Sequence, residues 1–200
     1  MELRAENIGF RYGAKGREIW RNYNISIKSG ERLGLMAPSG YGKTTLLKLL
    51  AGYERPDEGG VFLDGKPLSE YGGYCPVQLI WQHPEEALNP RLKMKHALKQ
   101  GGGVSPRIAE GLGIQDEWLE RYPSELSGGE MQRFCIARAL GEQTKFLLAD
   151  EITSMLDMIT QSQIWNFLIE ETERRQIGML VVSHSKPLLA RICSRVIQPG

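Results

Sequence analysis

Two spacings of apolar residues alternate along the chain. From Glu18 to Ile27, Ile19, Tyr23, Ile25 and Ile27 fall at odd positions, the period of a half-buried strand, and Glu2 to Tyr12 reads the same way. Beyond the Ser29-Gly30 turn, Glu31 to Met36 is a short apolar strand. It runs into a helix that clusters Leu46, Leu47, Leu49 and Leu50 and stops at Gly52. Val61-Phe62-Leu63 before Asp64-Gly65 predicts a hairpin, and Val77 to Trp81 a further strand.

From His83 to Leu140 the pattern turns to short helices, separated by Pro90, Gly101 to Gly103 and the Ser105-Pro106 start signal. Phe146 to Asp150 and Met179 to Ser183 have the continuous apolar character of fully buried strands. Between them, Met158 to Glu173 keeps helical spacing through Ile164, Trp165, Leu168 and Thr172. Lys186 to Cys193 and Arg195 to Gln198 add a last helix and strand. Strands alternating with helices predict an α/β fold with a mostly parallel sheet, interrupted by an inserted helical segment.

Composition narrows what such a fold does. Twenty-five basic against 24 acidic residues leave a net charge of +1, which argues against a binder of nucleic acid through a basic surface. No apolar run approaches the ~20 residues of a membrane span, and the N-terminus has no apolar leader, so a cytoplasmic chain is expected. Cys75, Cys135 and Cys193 are widely spaced and read as reduced structural thiols. The 23 glycines exceed average usage by roughly nine, so many of them should serve backbone placement.

Some of those glycines sit in Ala37-Pro38-Ser39-Gly40-Tyr41-Gly42-Lys43-Thr44, between the Glu31–Met36 strand and the leucine-rich helix. This is the strand–loop–helix pattern of a phosphate loop, found by chance in about one chain in a hundred. Gly40 and Gly42 let successive N–H groups turn toward one anion, and the helix start adds its dipole. Lys43 supplies charge for the β- and γ-phosphates, and the Thr44 hydroxyl a ligand for Mg²⁺. Past the buried Phe146–Ala149 strand stand two acids. Asp150 would hold Mg²⁺ through its water shell, and Glu151 would face a water attacking the γ-phosphate. A general base so placed is worth roughly 10²–10⁴ in rate.

Leu126-Ser127-Gly128-Gly129-Glu130, followed by Met131-Gln132-Arg133, resembles the signature motif of ABC-type ATPases. The rest of that family's order is present. Tyr12 resembles the aromatic residue that stacks on adenine. Gln82 resembles the glutamine that links Mg²⁺ and the γ-phosphate to the helical segment. Ser154-Met155-Leu156-Asp157 resembles the D-loop, and His184 the switch histidine that steadies the attacking water.

The resemblance covers essentially all 200 residues. It implies one domain: residues 1–82 and 141–200 as the ATP-binding core, with an N-terminal antiparallel β part, and 83–140 as a helical subdomain. Nucleotide contacts are expected from Tyr12, Ser39, Gly40, Tyr41, Gly42, Lys43, Thr44, Thr45 and Asp157. In the family Ser127, Gly128 and Gly129 cap the ATP held by a partner, so ATP joins two subunits, identical or paralogous. Four positions depart from the family's usual pattern. Ala37 replaces the first glycine, and Tyr41 a small residue, its ring expected to point away from the phosphates. Ile152 replaces a proline, loosening the approach to the D-loop, and Glu130 a common glutamine. The chain also ends at Gly200, where relatives usually continue.

Gln82-His83-Pro84 with Ala87-Leu88-Asn89-Pro90-Arg91 resembles the peptide and nickel importer branch. That implies membrane-spanning permease subunits, indirectly a solute-binding protein, and a place on the cytoplasmic face of the membrane. Two other roles stay open: a soluble ABC ATPase of repair or translation, and a nucleotide-binding scaffold in a soluble enzyme complex. The first usually has two cassettes or a long coiled-coil insert in one chain, and neither pattern occurs here.

Overall fold

The computed structural model describes residues 1–13, 16–100 and 103–199, except the Gln100 side chain, so most of the glycine joint expected at 101–103 lies outside it. In chain order the strands are β1 (Glu2–Arg11), β2 (Glu18–Lys28), β3 (Arg32–Leu35), β4 (Glu58–Leu63), β5 (Lys66–Pro67), β6 (Val77–Ile80), β7 (Phe146–Asp150), β8 (Gly178–Val182) and β9 (Arg195–Ile197). The helices are α1 (Lys43–Leu50), α2 (Pro84–Ala87), α3 (Met94–Gln100), α4 (Pro106–Gly111), α5 (Gly128–Ala139), α6 (Met158–Arg175) and α7 (Lys186–Ile192).

Two sheets form. An antiparallel one runs in the order β2-β1-β4-β5, and a parallel one in the order β6-β7-β8-β3-β9. Every residue of β7 and β8 is buried, because both faces of the parallel sheet are covered. Leu148, Leu180 and Val182 point into a core shared with α1 and the antiparallel sheet. Leu147, Ala149, Met179 and Val181 point into a second core, shared with α6 and with Ile108, Leu112 and Phe134 of the 83–140 segment. The helical segment is therefore bonded to the parallel sheet by apolar packing and has no separate core.

The strict odd-position pattern expected for β2 does not hold. Between the Ala5–Ile25 and Ile8–Tyr23 pairs β1 has one residue too many, and between Ile8–Tyr23 and Phe10–Trp20 β2 does. Asn7 and Asn22, at φ 49° and 46°, absorb these two bulges. The shift brings Trp20 inward and leaves Ile19 half-buried. The expected Asp64-Gly65 turn has both residues at positive φ, as a tight hairpin of primed type requires. Helix α1 ends as Gly52 implied: Tyr53 N–H donates to Lys48 O at 2.9 Å and Gly52 N–H to Leu49 O at 3.1 Å.

Candidate functional site

Parallel strands bring their C-terminal ends to one edge, which is where open α/β sheets bind ligands. In register, Leu35 pairs with Val182, Asp150 with Val182 and Ile80 with Ala149. The residues just beyond these strands are the 37–44 loop after β3, Gln82 after β6, Asp150 and Glu151 at the end of β7, and His184 after β8. Four segments far apart in sequence thus meet at one edge.

Within the loop, Ser39 and Gly40 are exposed, and Gly42 caps α1 with φ 92°. Lys43 is buried, its Nζ donating to Ala37 O and Pro38 O at 2.9 Å each, which holds the ammonium over the loop. The Thr44 hydroxyl donates to Asp150 Oδ2 at 2.6 Å. Burial pushes the Asp150 carboxyl above its ordinary range, against the Thr44 hydrogen bond, which favours its charged form. A cation set between these two oxygens would offset that burial. Among the described residues no group of three or more His, Cys, Asp or Glu side chains gathers around a metal position. One carboxylate and one hydroxyl, with phosphate oxygens and water to complete the shell, fit Mg²⁺.

Glu151 Oε1 lies 2.9 Å from His184 Nε2, and the Glu151 side chain is mostly buried while His184 is half-exposed. The Glu151 backbone has φ 49°, a left-handed conformation that costs a non-glycine residue about 1–2 kcal/mol. Its N–H donates to Val182 O at 3.1 Å, so β8 holds the strained turn in place.

Tyr12 rests edge-on against Phe10, with ring centroids 4.9 Å apart, and stays 48% exposed. Its hydroxyl is 3.3 Å from that of Thr45, which ties the ring to the first turn of α1. The Tyr41 ring packs edge-on toward Trp20, with ring centroids 5.7 Å apart. Gln82 is half-buried at the end of β6.

Ser127 begins α5 with a reciprocal cap. Its Oγ accepts from Glu130 N–H at 3.3 Å, and Glu130 Oε2 accepts from Ser127 N–H at 2.7 Å. The bond from the Ser127 amide holds the Glu130 carboxyl below its ordinary range. Gly128 and Gly129 follow in the first turn, where amides have no partner inside the helix. Asp157 caps α6 without such reciprocity, its Oδ1 accepting from Ile159 N–H and Thr160 N–H at 3.0 Å each, so part of its side chain is committed to the helix.

The looser approach expected from Ile152 is not found. Ile152 is buried, and Thr153 Oγ1 accepts from Gln161 Nε2 at 2.9 Å and Trp165 Nε1 at 3.0 Å, so the segment is tied down without a proline. Sequence reasoning missed two residues. Trp20 donates to the loop carbonyl of Gly42 at 3.1 Å. Gln132, almost wholly buried on α5, donates to Trp81 O at 3.2 Å, tying the signature helix to the residue before Gln82. A glutamine on the apolar side of a helix was the only sign of the second.

Comparison with known proteins gives the same family from sequence and from fold. The ABC transporter family profile matches residues 20–154. The nickel import ATP-binding protein NikE of Escherichia coli O6:K15:H31 is 31% identical over 94% of this chain and 77% of its own length. The nickel import system ATP-binding protein NikE of Staphylococcus aureus is 31% identical over 98% of this chain and 85% of its own. A dimeric bacterial ABC transporter cassette superposes with a TM-score of 0.82 at 27% identity, covering 98% of this chain and 93% of that one. A dimeric post-hydrolysis cassette bound to ADP and Pi superposes at 0.83 with 26% identity. The chain belongs to the ABC transporter family, as one of its ATP-hydrolysing ATP-binding cassettes.

Proposed function

We propose that two such subunits close around two molecules of ATP and that the cycle of closure and hydrolysis powers an importer of nickel, peptides or a related small solute. The observation that carries this reading is the convergence of Lys43, the Thr44–Asp150 pair and the Glu151–His184 pair at one edge of the parallel sheet. Loop amides and Lys43 bind the β- and γ-phosphates, Thr45 lies one residue further along α1, and Tyr12 stacks on the base. Thr44, Asp150 and Gln82 would hold Mg²⁺, which would neutralise charge on the phosphate oxygens. Glu151 accepts the proton of the attacking water, and His184 fixes the carboxylate that does so.

Residues 1–82 and 141–200 act in this reading as the ATP-binding core, and 83–140 as the segment that presents the signature. Ser127 through its side chain, and Gly128 and Gly129 through their amides at the helix start, contact the ATP of the second subunit. The importer reading is supported by the likeness to two nickel import ATP-binding proteins. Among the described residues no helix is long and apolar enough to cross a membrane. The spanning part then belongs to permease partners, with the cassette peripheral on the cytoplasmic face and the solute-binding protein reached only through them.

Two measurements test the reading. Lys43→Ala should abolish MgATP binding in calorimetry; unchanged binding would place the nucleotide elsewhere. Purified from its native membranes in detergent, the chain should carry a partner with several membrane helices. Recovery in a soluble enzyme complex instead would overturn the importer assignment and leave the ATPase intact.

A further inference from the structure

Trp20 and Tyr23 of the antiparallel sheet brace the phosphate loop together with the loop's own Tyr41. Tyr41, at the tip of the loop, meets Trp20 with ring centroids 5.7 Å apart and planes at 65°. Trp20 lies in turn against Tyr23, 4.4 Å away. The Trp20 indole N–H donates to Gly42 O at 3.1 Å, and the same oxygen accepts the first helical bond of α1 from Leu46 N–H at 2.9 Å. The approach is close enough that a Cβ on Gly42 would lie 2.4 Å from Ile19 Cγ2 and 3.1 Å from Trp20 Nε1. Gly42 thus needs to be glycine on two counts, for this contact and for its left-handed φ.

We infer that Trp20 is a positioning residue for the phosphates of ATP. In a trans peptide the carbonyl and the following N–H point in opposite directions. Anchoring Gly42 O on the Trp20 indole therefore turns the Lys43 N–H away from the sheet, toward the side where the phosphates bind. Trp20 touches no phosphate and acts only through the Gly42–Lys43 peptide. Tyr41 and Tyr23 flank the indole and keep its N–H aimed at that carbonyl. Unlike a side chain that merely fills the core, Trp20 sets the direction of one phosphate-binding amide. The inference rests on the reading of residues 37–44 as the ATP phosphate loop.

Calorimetric titration of the wild-type chain and of Trp20→Phe with MgATP and MgADP tests it, since phenylalanine keeps an aromatic ring and removes the N–H. Both nucleotides should bind about three- to tenfold more weakly to the variant, the range of one lost hydrogen bond, with unchanged stoichiometry. KM for ATP should rise by a similar factor, and by more than kcat falls. Wild-type affinity in a folded Trp20→Phe overturns the inference. So does a lowered stoichiometry with unchanged affinity in the remaining fraction, the mark of a purely structural prop. If Trp20→Phe does not fold, Tyr41→Ser removes the flanking ring, along with the hydroxyl's bond to Pro199 O, and should weaken both nucleotides about twofold; equal affinity there sinks the bracket. Failure of the wild-type chain to bind either nucleotide is a different result, and overturns the reading of the loop itself.

Discussion

Glu151 holds its carboxylate against His184 from a backbone conformation glutamate rarely adopts, and it is the residue proposed to take a proton. The types of residue at this site were legible in the sequence. Glycine, lysine, threonine and the paired acids declare a chemistry by their spacing, and the histidine through the family resemblance. What spacing does not carry is how each is held. That Lys43 folds back onto Ala37 O and that Asp157 caps α6 are local contacts set by side-chain geometry, and the bond from Trp20 to the loop joins two separate segments. The cysteines follow the simpler rule. Burial pushes the Cys135 and Cys193 thiols each up to about 11 and raises that of Cys75. At pH 8, Cys135 and Cys193 in the folded chain should react with iodoacetamide on the order of a hundredfold more slowly than in the unfolded chain. Their rates should climb about tenfold per pH unit toward the thiol pKa. Mass spectrometry of the labelled peptides reads this directly, and rapid labelling of either thiol at pH 8 would contradict its burial.

Helices and strands came through wherever one segment decides its own structure. Buried strands β7 and β8, long helix α6, the Ser105-Pro106 start of α4 and the Asp64-Gly65 turn all behave as their local pattern dictates. The register of β1 with β2 was not legible, because it rests on two asparagines taking positive φ in response to pairing. Packing of α4 on α6 was likewise hidden. Gly111, the last residue of α4, sits so tightly on α6 that an added Cβ would lie 2.1 Å from the Phe167 ring. Alanine improves helix propensity by up to ~1 kcal/mol relative to glycine. Overpacking costs about 1–3 kcal/mol, and should win because Phe167 is itself nearly buried. Gly111→Ala should therefore lower the denaturant midpoint. A raised midpoint would mean that the ring swings clear and that the joint between helical segment and core is softer than described.

The molecule as a whole is a parallel sheet between two apolar cores, with its candidate chemistry gathered along one edge. The near-neutral charge fits this plan, because the proposed phosphate site needs only backbone amides and one lysine instead of a basic surface. The order of motifs made the family legible from sequence, and in the proposed cycle the Gly128 and Gly129 amides of α5 serve a second subunit. Beside the Asp157 cap the surface is unusually apolar: Met155, Met158 and Ile159 are 69%, 85% and 72% exposed. Side chains of that kind are suited to burial against a partner. In the proposed cycle ATP is the joint between two cassettes. Sedimentation velocity of Glu151→Gln with saturating MgATP tests it most directly, since glutamine keeps the shape of the side chain but cannot take the proton. The variant should bind ATP and sediment as a dimer, reverting to monomer when the nucleotide is removed; a variant that binds MgATP and stays monomeric would contradict the account.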